Sequence, residues 1–193
     1  MADLSSFGSP PAAGARHRWL IAGGIALIGS LLLTVSAKTQ IPFYPVPMTL
    51  QTMVVLLLGM MLGARLALLT VLVYLAEGAF GLPVFAGTPE KGLGLAYMTG
   101  PTGGYLVGFA LTAWLTGRLT EERDDAQHLA LAALLGIILI YGLGVLWLTT
   151  FVGAERAIAL GIAPFIFGDL LKAALAVALG LLGATRLRRW LPV

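Results

Sequence analysis

The stretch APFIFGDLLKAALAVALGLLGA, Ala163 to Ala184, decides the fold class of this chain. It is apolar, and its length matches the roughly 20 residues that a helix needs to cross a membrane. It also carries Asp169 and Lys172, whose spacing places both side chains on one helix face. Charged side chains in a membrane span are costly unless they are paired or serve a function. The stretch therefore predicts a membrane helix with a buried polar site near its N-terminal end.

The composition extends this prediction to the whole chain. Of its residues 59% are hydrophobic and 11% charged, and the mean hydropathy is +0.94, which excludes an ordinary soluble domain. The chain has no cysteine, so disulfides and thiolate catalysis are excluded, and with two histidines no metal site is expected. Because the basic residues flank apolar segments, the expected surrounding is a lipid bilayer, and no nucleic-acid partner is implied.

Six apolar segments predict an all-α integral membrane protein with six transmembrane helices. The segments are Trp19–Ala37, Val46–Leu62, Leu66–Phe80, Pro101–Gly117, Leu129–Val152 and Pro164–Thr185. Lysine and arginine in alternate connections number eight on one side and three on the other. Because basic residues accumulate in cytoplasmic loops, we expect both the N and C termini in the cytoplasm.

The domain organisation is simple. Residues 1–16 are rich in Ser, Gly, Pro and Ala, and they predict a disordered cytoplasmic tail. Residues 17–193 form a six-helix transmembrane domain, and no second domain is indicated.

The first predicted outer loop, AKTQIPFYPVPMTLQT, is stiffened by three prolines. Such a loop suits the placement of Phe43 and Tyr44 over a cavity, although it also suits a rigid connector with aromatic rings at the membrane interface. Gln51 follows at the start of the second segment. Its amide fits either a hydrogen bond between helices or a contact with a ligand.

The second predicted outer loop, GLPVFAGTPEKGLGLAYMT, has the length and apolar content of a lid or binding loop. It leads into GPTGGYLVGF, Gly100 to Phe109, where Pro101 suits a helix start. The exposed N–H groups of that helix start could receive a carboxylate. The alternative is close helix packing through Gly104 and Gly108.

Asp169 and Lys172 fall at the same predicted level of the membrane as these loops. They form either a substrate site or a structural ion pair. The chain lacks G-x-x-x-x-G-K-[ST], H-E-x-x-H and G-x-S-x-G motifs, so we expect no enzymatic activity. A chain of buried acids that would couple transport to an ion is also lacking, so any transport would draw its energy from another protein.

Four motifs, PVPMTLQT, GLPVFAG, GPTGGYLVGF and PFIFGDLLK, occur in one order between Pro45 and Lys172. Together they resemble the BioY family, the biotin-specific S components of energy-coupling factor transporters. The resemblance implies a membrane-embedded subunit that captures biotin from the outer face and delivers it inward. Its partners would be a transmembrane T component and ABC-type ATPases, which alone would bind ATP, so no cofactor is expected in this chain. The implied location is the cytoplasmic membrane of a bacterium or archaeon, crossed several times.

The resemblance also implies a set of site residues. Asp169 would accept a hydrogen bond from the ureido group of biotin, and Lys172 would orient Asp169 or donate to the ligand. The biotin carboxylate would be bound by Lys91 or by backbone N–H groups. The remaining expected contacts are Phe43, Tyr44, Gln51, Gly100, Thr102, Gly103, Gly104 and Tyr105.

The first helix carries Ala22, Ala26 and Ser30 at intervals of four residues. The resemblance implies that this stripe contacts the T component, although small residues pack equally well inside the chain's own bundle. Two other functions stay open: an S component for a different vitamin, and a structural or assembly protein of the membrane. The sequence does not decide between a monomer and a homo-oligomer.

Overall fold

The computed structural model describes residues 13–41, 44–87, 92–123 and 125–188, with side chains from residue 17 to residue 183 of these ranges. The elements are α1 (Ala13–Lys38), β1 (Gln40–Ile41), β2 (Met48–Thr49), α2 (Gln51–Leu62), α3 (Ala64–Ala79), α4 (Leu95–Met98), α5 (Gly103–Thr120), α6 (Ala126–Val152), α7 (Ala154–Gly161) and α8 (Ile166–Arg188). Each of the six predicted apolar segments overlaps one long helix. The chain is therefore mostly helical, as predicted.

Among the described residues, three helical stretches are long and apolar enough to cross a membrane. They are His17–Lys38 in α1, Ala126–Val152, which is all of α6, and Ile166–Gly183 in α8. Helix α2 is apolar but has 12 residues. At 1.5 Å per residue it is about 18 Å long, which is shorter than a typical hydrocarbon core.

Some predicted boundaries were wrong. Helix α2 begins at Gln51 and not at Val46, because Pro47 has no N–H to donate and Met48 and Thr49 pair with β1 instead. Helix α1 begins at Ala13, so it includes the last four residues of the predicted tail. Residues 1–12 lie outside the described residues. Between α6 and α8 the chain forms the short helix α7, which the sequence analysis did not predict.

Helix α5 lies at the centre of the bundle, where it packs against α6, α2 and α3. Helix α1 packs mainly on α3, and α8 packs on α2 and α6. The buried core follows these contacts and is made of aliphatic and aromatic side chains from every long helix. The outward faces of α1, α6 and α8 carry many exposed leucines, as suits helices surrounded by lipid.

One end of the bundle, here called the capped end, is closed by short connections. A single residue, Gly63, separates α2 from α3, with a φ of 77° that glycine adopts readily. The backbone N–H of Ala64 donates to Glu121 Oε1 at 2.9 Å. Asp125 caps α6 by accepting from the N–H groups of Gln127 and His128. These contacts satisfy helix N-termini that would otherwise keep unpaired donors.

The opposite end, here called the cavity end, carries longer connections. At this end lie the C-terminal ends of α1 and α3 and the N-terminal ends of α2, α5 and α8. The hairpin of β1 and β2 is antiparallel and pairs Gln40 with Thr49 and Ile41 with Met48. The segment between α3 and α4 covers the neighbouring part of this end, so that two connections surround one cavity.

Candidate functional site

A cavity at the cavity end is lined by all the long helices except α1, together with residues of both covering segments. Its aromatic lining consists of Tyr74, Phe85, Tyr97, Tyr105, Phe109, Tyr141 and Phe165. Its polar lining consists of Thr49, Gln51, Thr52, Thr102, Asp169 and Lys172. A mostly apolar pocket with a few converging polar groups is typical of a small-molecule binding site.

The centre of the polar lining is a buried cluster of three side chains. Lys172 Nζ donates to Asp169 Oδ1 at 2.6 Å, and Tyr141 OH donates to Asp169 Oδ2 at 2.7 Å. Asp169 is 5% exposed and Lys172 is 7% exposed. The two charged residues lie on successive turns at the start of α8, and Tyr141 reaches them from α6. Each carboxylate oxygen therefore has one fixed donor and keeps a further lone pair for a ligand.

Gln51 belongs to a second polar group on another side of the cavity. Its Nε2 donates to Tyr74 OH at 2.9 Å, and its Oε1 accepts from Thr49 Oγ1 at 3.3 Å. Tyr74 OH in turn donates to the carbonyl oxygen of Val84 at 3.3 Å. The amide of Gln51 thus joins β2, α2 and α3, which is the first of its two predicted roles. It also lines the cavity, and its contact with a ligand stays a prediction.

The segment GPTGGY, Gly100 to Tyr105, divides between the cavity and the helix interface. Thr102 and Tyr105 line the cavity, and Tyr105 OH donates to the carbonyl oxygen of Gly161 at 2.9 Å. Gly100, Gly103 and Gly104 are not part of the lining.

The glycines of this segment allow α5 and α6 to approach closely. Trp147 Nε1 donates to the carbonyl oxygen of Gly100 at 2.9 Å. A Cβ on Gly103 would lie 2.1 Å from the carbonyl oxygen of Met98, and one on Gly104 would lie 2.3 Å from Trp147 Cβ. Gly104 and Gly108 therefore have the packing role against α6 that was the alternative to ligand contact, while Gly103 packs against the end of α4 and Trp147.

The first predicted outer loop contributes less to the cavity than expected. Tyr44 is 85% exposed and is not part of the lining. Phe43 and Lys91 lie outside the described residues, so their contact with a ligand stays a prediction. The loop reaches the cavity instead through Val46, Pro47 and residues of β2.

The small-residue stripe of α1 faces the chain's own bundle. Ala26 and Ser30 are fully buried and Ala22 is half-buried, because α1 packs on α3. Ser30 Oγ donates to the carboxylate of Glu77 on α3. The stripe therefore makes the internal contacts that were the alternative to a partner interface.

Sequence reasoning missed many residues of the site, among them Tyr141, Tyr74 and Phe85. Tyr141 and Tyr74 lie within apolar helices, and Phe85 lies in the apolar part of a connection. A tyrosine inside an apolar helix requires a partner for its hydroxyl group, and that signal could have identified Tyr141 and Tyr74. Nothing in the local sequence distinguishes Phe85 from other apolar loop residues.

The site as described suits binding of a ligand with an apolar ring and a polar edge. Within the described residues, no group of three or more His, Cys, Asp or Glu side chains could hold a metal ion. The buried carboxylate offers acceptor positions, the lysine offers a donor, and the aromatic rings offer apolar contact area.

Three comparisons relate the chain to known proteins. The sequence model of the BioY family matches residues 15–190. The chain is 41% identical over 146 residues to a probable biotin transporter BioY of Pyrococcus horikoshii, with 76% of this chain and 85% of that protein covered. It is 40% identical over 165 residues to the biotin transporter BioY of Thermotoga maritima, with 85% and 94% covered.

The fold also has a counterpart among solved structures. It is similar to the crystal structure of the S-component for biotin from an ECF-type ABC transporter, with a TM-score of 0.73 and 26% sequence identity. The match covers 90% of this chain and 93% of that one. The similarity therefore extends over most of both chains.

Proposed function

The chain belongs to the BioY family, a family of transporter subunits and not of enzymes, and from this premise we propose that it is the biotin-capturing S component of an energy-coupling factor uptake system. The observation that carries the proposal is the buried cluster of Asp169, Lys172 and Tyr141 in the wall of an aromatic cavity. A charged group in a membrane span is expected to be functional. Here the charged pair lies where a small ligand would be enclosed.

The chemistry of biotin fits this cavity. Biotin carries a ureido group with two N–H donors and one carbonyl acceptor, a fused apolar ring system and a carboxylate on a flexible chain. The free lone pairs of Asp169 would accept from the ureido N–H groups, and charge-assisted hydrogen bonds of this kind are stronger than neutral ones. Lys172 holds Asp169 in place and would donate to the ureido carbonyl. The aromatic lining would enclose the fused rings.

We further propose that all six long helices cross the membrane and that both termini lie in the cytoplasm. The excess of lysine and arginine in the connections at the capped end supports this orientation. The cavity end would then face outward, where biotin is captured. Helix α2 has 12 residues and is shorter than the hydrocarbon core of a typical membrane. Its length would be tolerated because α3, α5 and α8 surround it.

Delivery of biotin to the cytoplasm would require other subunits. In this proposal a transmembrane T component and ABC-type ATPases bind the S component in the cytoplasmic membrane. ATP would be bound and hydrolysed by those partners, and their motion would reorient the helix bundle so that the cavity opens inward. The chain itself would bind biotin without chemical change.

Calorimetric titration of biotin into the detergent-purified protein tests the proposal. We expect the wild-type protein to bind and Asp169→Asn to bind at least tenfold more weakly, a loss of ~1.4 kcal/mol or more. The matched control is Asp125→Asn, the same substitution at the exposed cap of α6, which should bind as the wild type does.

Two results would contradict the proposal. Absence of biotin binding by folded wild-type protein would rule out the biotin function, and equal binding by Asp169→Asn would rule out the assigned site. Competition by other small vitamins at comparable concentration would show a different ligand preference. Thermal melting of each variant establishes that it is folded.

A further inference from the structure

Phe85 forms part of the cavity wall, and neighbouring rings hold it in position. Its side chain is 1% exposed. It stacks on Tyr97 with ring centroids 4.9 Å apart and an interplanar angle of 14°, and it meets Tyr74 edge to face at 5.4 Å and 86°. All three rings line the cavity. They form one aromatic wall, because Phe85 contacts both of the other rings.

The backbone of the same segment is also fixed. The carbonyl oxygen of Phe85 accepts from Lys38 Nζ at 2.7 Å, and the carbonyl oxygen of Val84 accepts from Tyr74 OH at 3.3 Å. Helix α1 therefore holds the segment from one side and α3 from the other. With both its ring and its backbone contacted, Phe85 has little freedom to move away from the cavity.

Gly78, near the end of α3, provides the space that the Phe85 ring occupies. A Cβ built on Gly78 would lie 2.0 Å from Phe85 Cζ and 2.3 Å from Phe85 Cε2, whereas ordinary contacts begin near 3.4 Å. Glycine in a helix costs about 0.5–1 kcal/mol relative to alanine. Helix formation therefore does not account for Gly78, and the fit of the ring against its backbone does.

We propose that Gly78 is a positioning residue of the binding site, which acts through Phe85 to set the shape of the cavity. Phe85 is the residue that contacts the ligand. Because Tyr74 and Tyr97 fill two sides of the ring, a methyl group on Gly78 would drive the ring into the free space of the cavity. The inference rests on the proposed function, since it concerns the space available to the fused rings of biotin.

Gly78 and Phe85 would act on the ligand by shape and not by charge. Phe85 offers only apolar ring surface, which suits a compact apolar ring system and gives no hydrogen bond to a polar chain. The polar cluster around Asp169 would recognise the ureido edge, while the Gly78–Phe85 pair would limit the thickness of the ring system that fits. A ligand pocket of fixed shape gains affinity because little has to be ordered on binding.

A set of three variants tests the proposal by biotin calorimetry, with thermal melting of each protein. Gly78→Ala should fold and bind biotin at least tenfold more weakly than the wild type. The control Gly24→Ala makes the same change in α1, where nothing lies within 4 Å of the added Cβ, and should bind as the wild type does. The double variant Gly78→Ala/Phe85→Leu has a smaller side chain at position 85 and should bind biotin at least threefold more tightly than Gly78→Ala does.

The rescue is the readout that a purely structural role would not give. Wild-type affinity in folded Gly78→Ala, or failure of Phe85→Leu to improve binding in the Gly78→Ala background, would overturn the inference. If Gly78→Ala does not fold, Phe85→Leu alone decides: at least a fivefold loss of affinity is expected, and an unchanged affinity refutes the role of the ring. Absence of biotin binding by the wild type would instead refute the proposed function, and the inference would fall with it.

Discussion

The two ends of the bundle satisfy their buried polar groups in different ways. Near the capped end, the buried hydroxyls of Thr112, Thr116 and Thr120 donate to backbone carbonyl oxygens. Around the cavity, Tyr74 and Tyr105 also donate to carbonyl oxygens. There, however, buried side chains are bonded to other side chains as well, Gln51 to Tyr74 and Asp169 to both Tyr141 and Lys172.

The difference separates residues that serve the fold from residues that serve a ligand. Most hydrogen bonds of a folded protein involve the backbone, and only about 10–15% join two side chains. A buried bond to a carbonyl oxygen closes the group off from other partners. A buried side-chain cluster that lines a cavity still has acceptor positions to offer, which is the property that ligand binding needs. The comparison therefore predicts that changes at the capped end alter stability alone, whereas changes at the cavity end alter binding.

The largest effect should come from breaking the buried ion pair. Lys172→Met leaves Asp169 with the Tyr141 hydroxyl as its remaining protein donor, and removal of one member of a buried pair costs ~3 kcal/mol or more of unfolding free energy. Asp169→Asn/Lys172→Met removes the unpaired charge, so its melting temperature should recover most of the loss, while biotin binding should not return. If the double variant regained binding together with stability, the pair would be structural and the separation of the two ends would fail.

Gly117→Ala is the corresponding change near the capped end. A Cβ on Gly117 would lie 2.4 Å from the backbone nitrogen of Ala64 and 2.6 Å from its Cα, so the start of α3 would have to move away from α5. Overpacking of this kind costs ~1–3 kcal/mol. We expect a lower melting temperature with unchanged biotin affinity, whereas Gly142→Ala, with open space around the added Cβ, should change neither. A tenfold loss of affinity in folded Gly117→Ala would show that the ends are coupled.

Tyr141→Phe should have a smaller effect than loss of the ion pair, with weaker binding and a modest loss of stability. It keeps the ring in the wall and removes the donor to Asp169 Oδ2, and a hydrogen bond to a charged group is worth ~1.5–3 kcal/mol. Without this donor the Asp169 carboxylate is held by Lys172 and no longer by Tyr141, so it is less well positioned for the ligand, and we expect about a tenfold rise in Kd. The control Tyr44→Phe removes an exposed hydroxyl near the same end and should have no effect.

A double-mutant cycle sharpens this prediction. If Tyr141 acts through Asp169, then Tyr141→Phe should change the affinity of the Asp169→Asn protein by less than twofold, because the two substitutions affect one interaction. Equal losses in both backgrounds would mean that Tyr141 contacts the ligand independently of Asp169.

Much of the fold could be predicted from the sequence, because each long helix carries its own apolar segment. The pair of Asp169 and Lys172 was predictable for a related reason: a spacing of three residues fixes their relation within one helix. Tyr141 was not, since its contact with Asp169 joins residues 28 positions apart and depends on how α6 packs on α8.

Other features of the site were ambiguous in the sequence because one pattern serves two structures. Small residues spaced like Ala22, Ala26 and Ser30 suit any close helix contact, and only the packing of α1 on α3 shows which face they cover. Gly103 and Gly104 are similar, since close approach to α6 and close approach to a ligand require the same residue. Gly78 and Phe85 are brought together by the fold of a connection whose local sequence does not specify where its aromatic ring inserts.

The smallest effect should be a pH-dependent one at the capped end, where Asp125 caps α6 far from the cavity. The pKa of Asp125 lies below its ordinary value of 3.8. The largest cause is the hydrogen bond from the backbone N–H of His128, and smaller contributions come from the His128 ring and from the backbone N–H of Gln127. A carboxyl group with a lowered pKa in the folded state contributes stability that is fully present above pH 3.8 and is lost as the pH falls through the pKa of the folded state.

Asp125→Asn keeps a good capping residue but removes the charge. The melting temperature of the wild type should therefore exceed that of Asp125→Asn at pH 6 by a small margin that shrinks below pH 3.8, with equal biotin affinity at pH 6. If the difference in melting temperature between the two proteins grew at lower pH, the Asp125 carboxylate would not stabilise the folded state as proposed. If Asp125→Asn changed the biotin affinity, the capped end would influence the site.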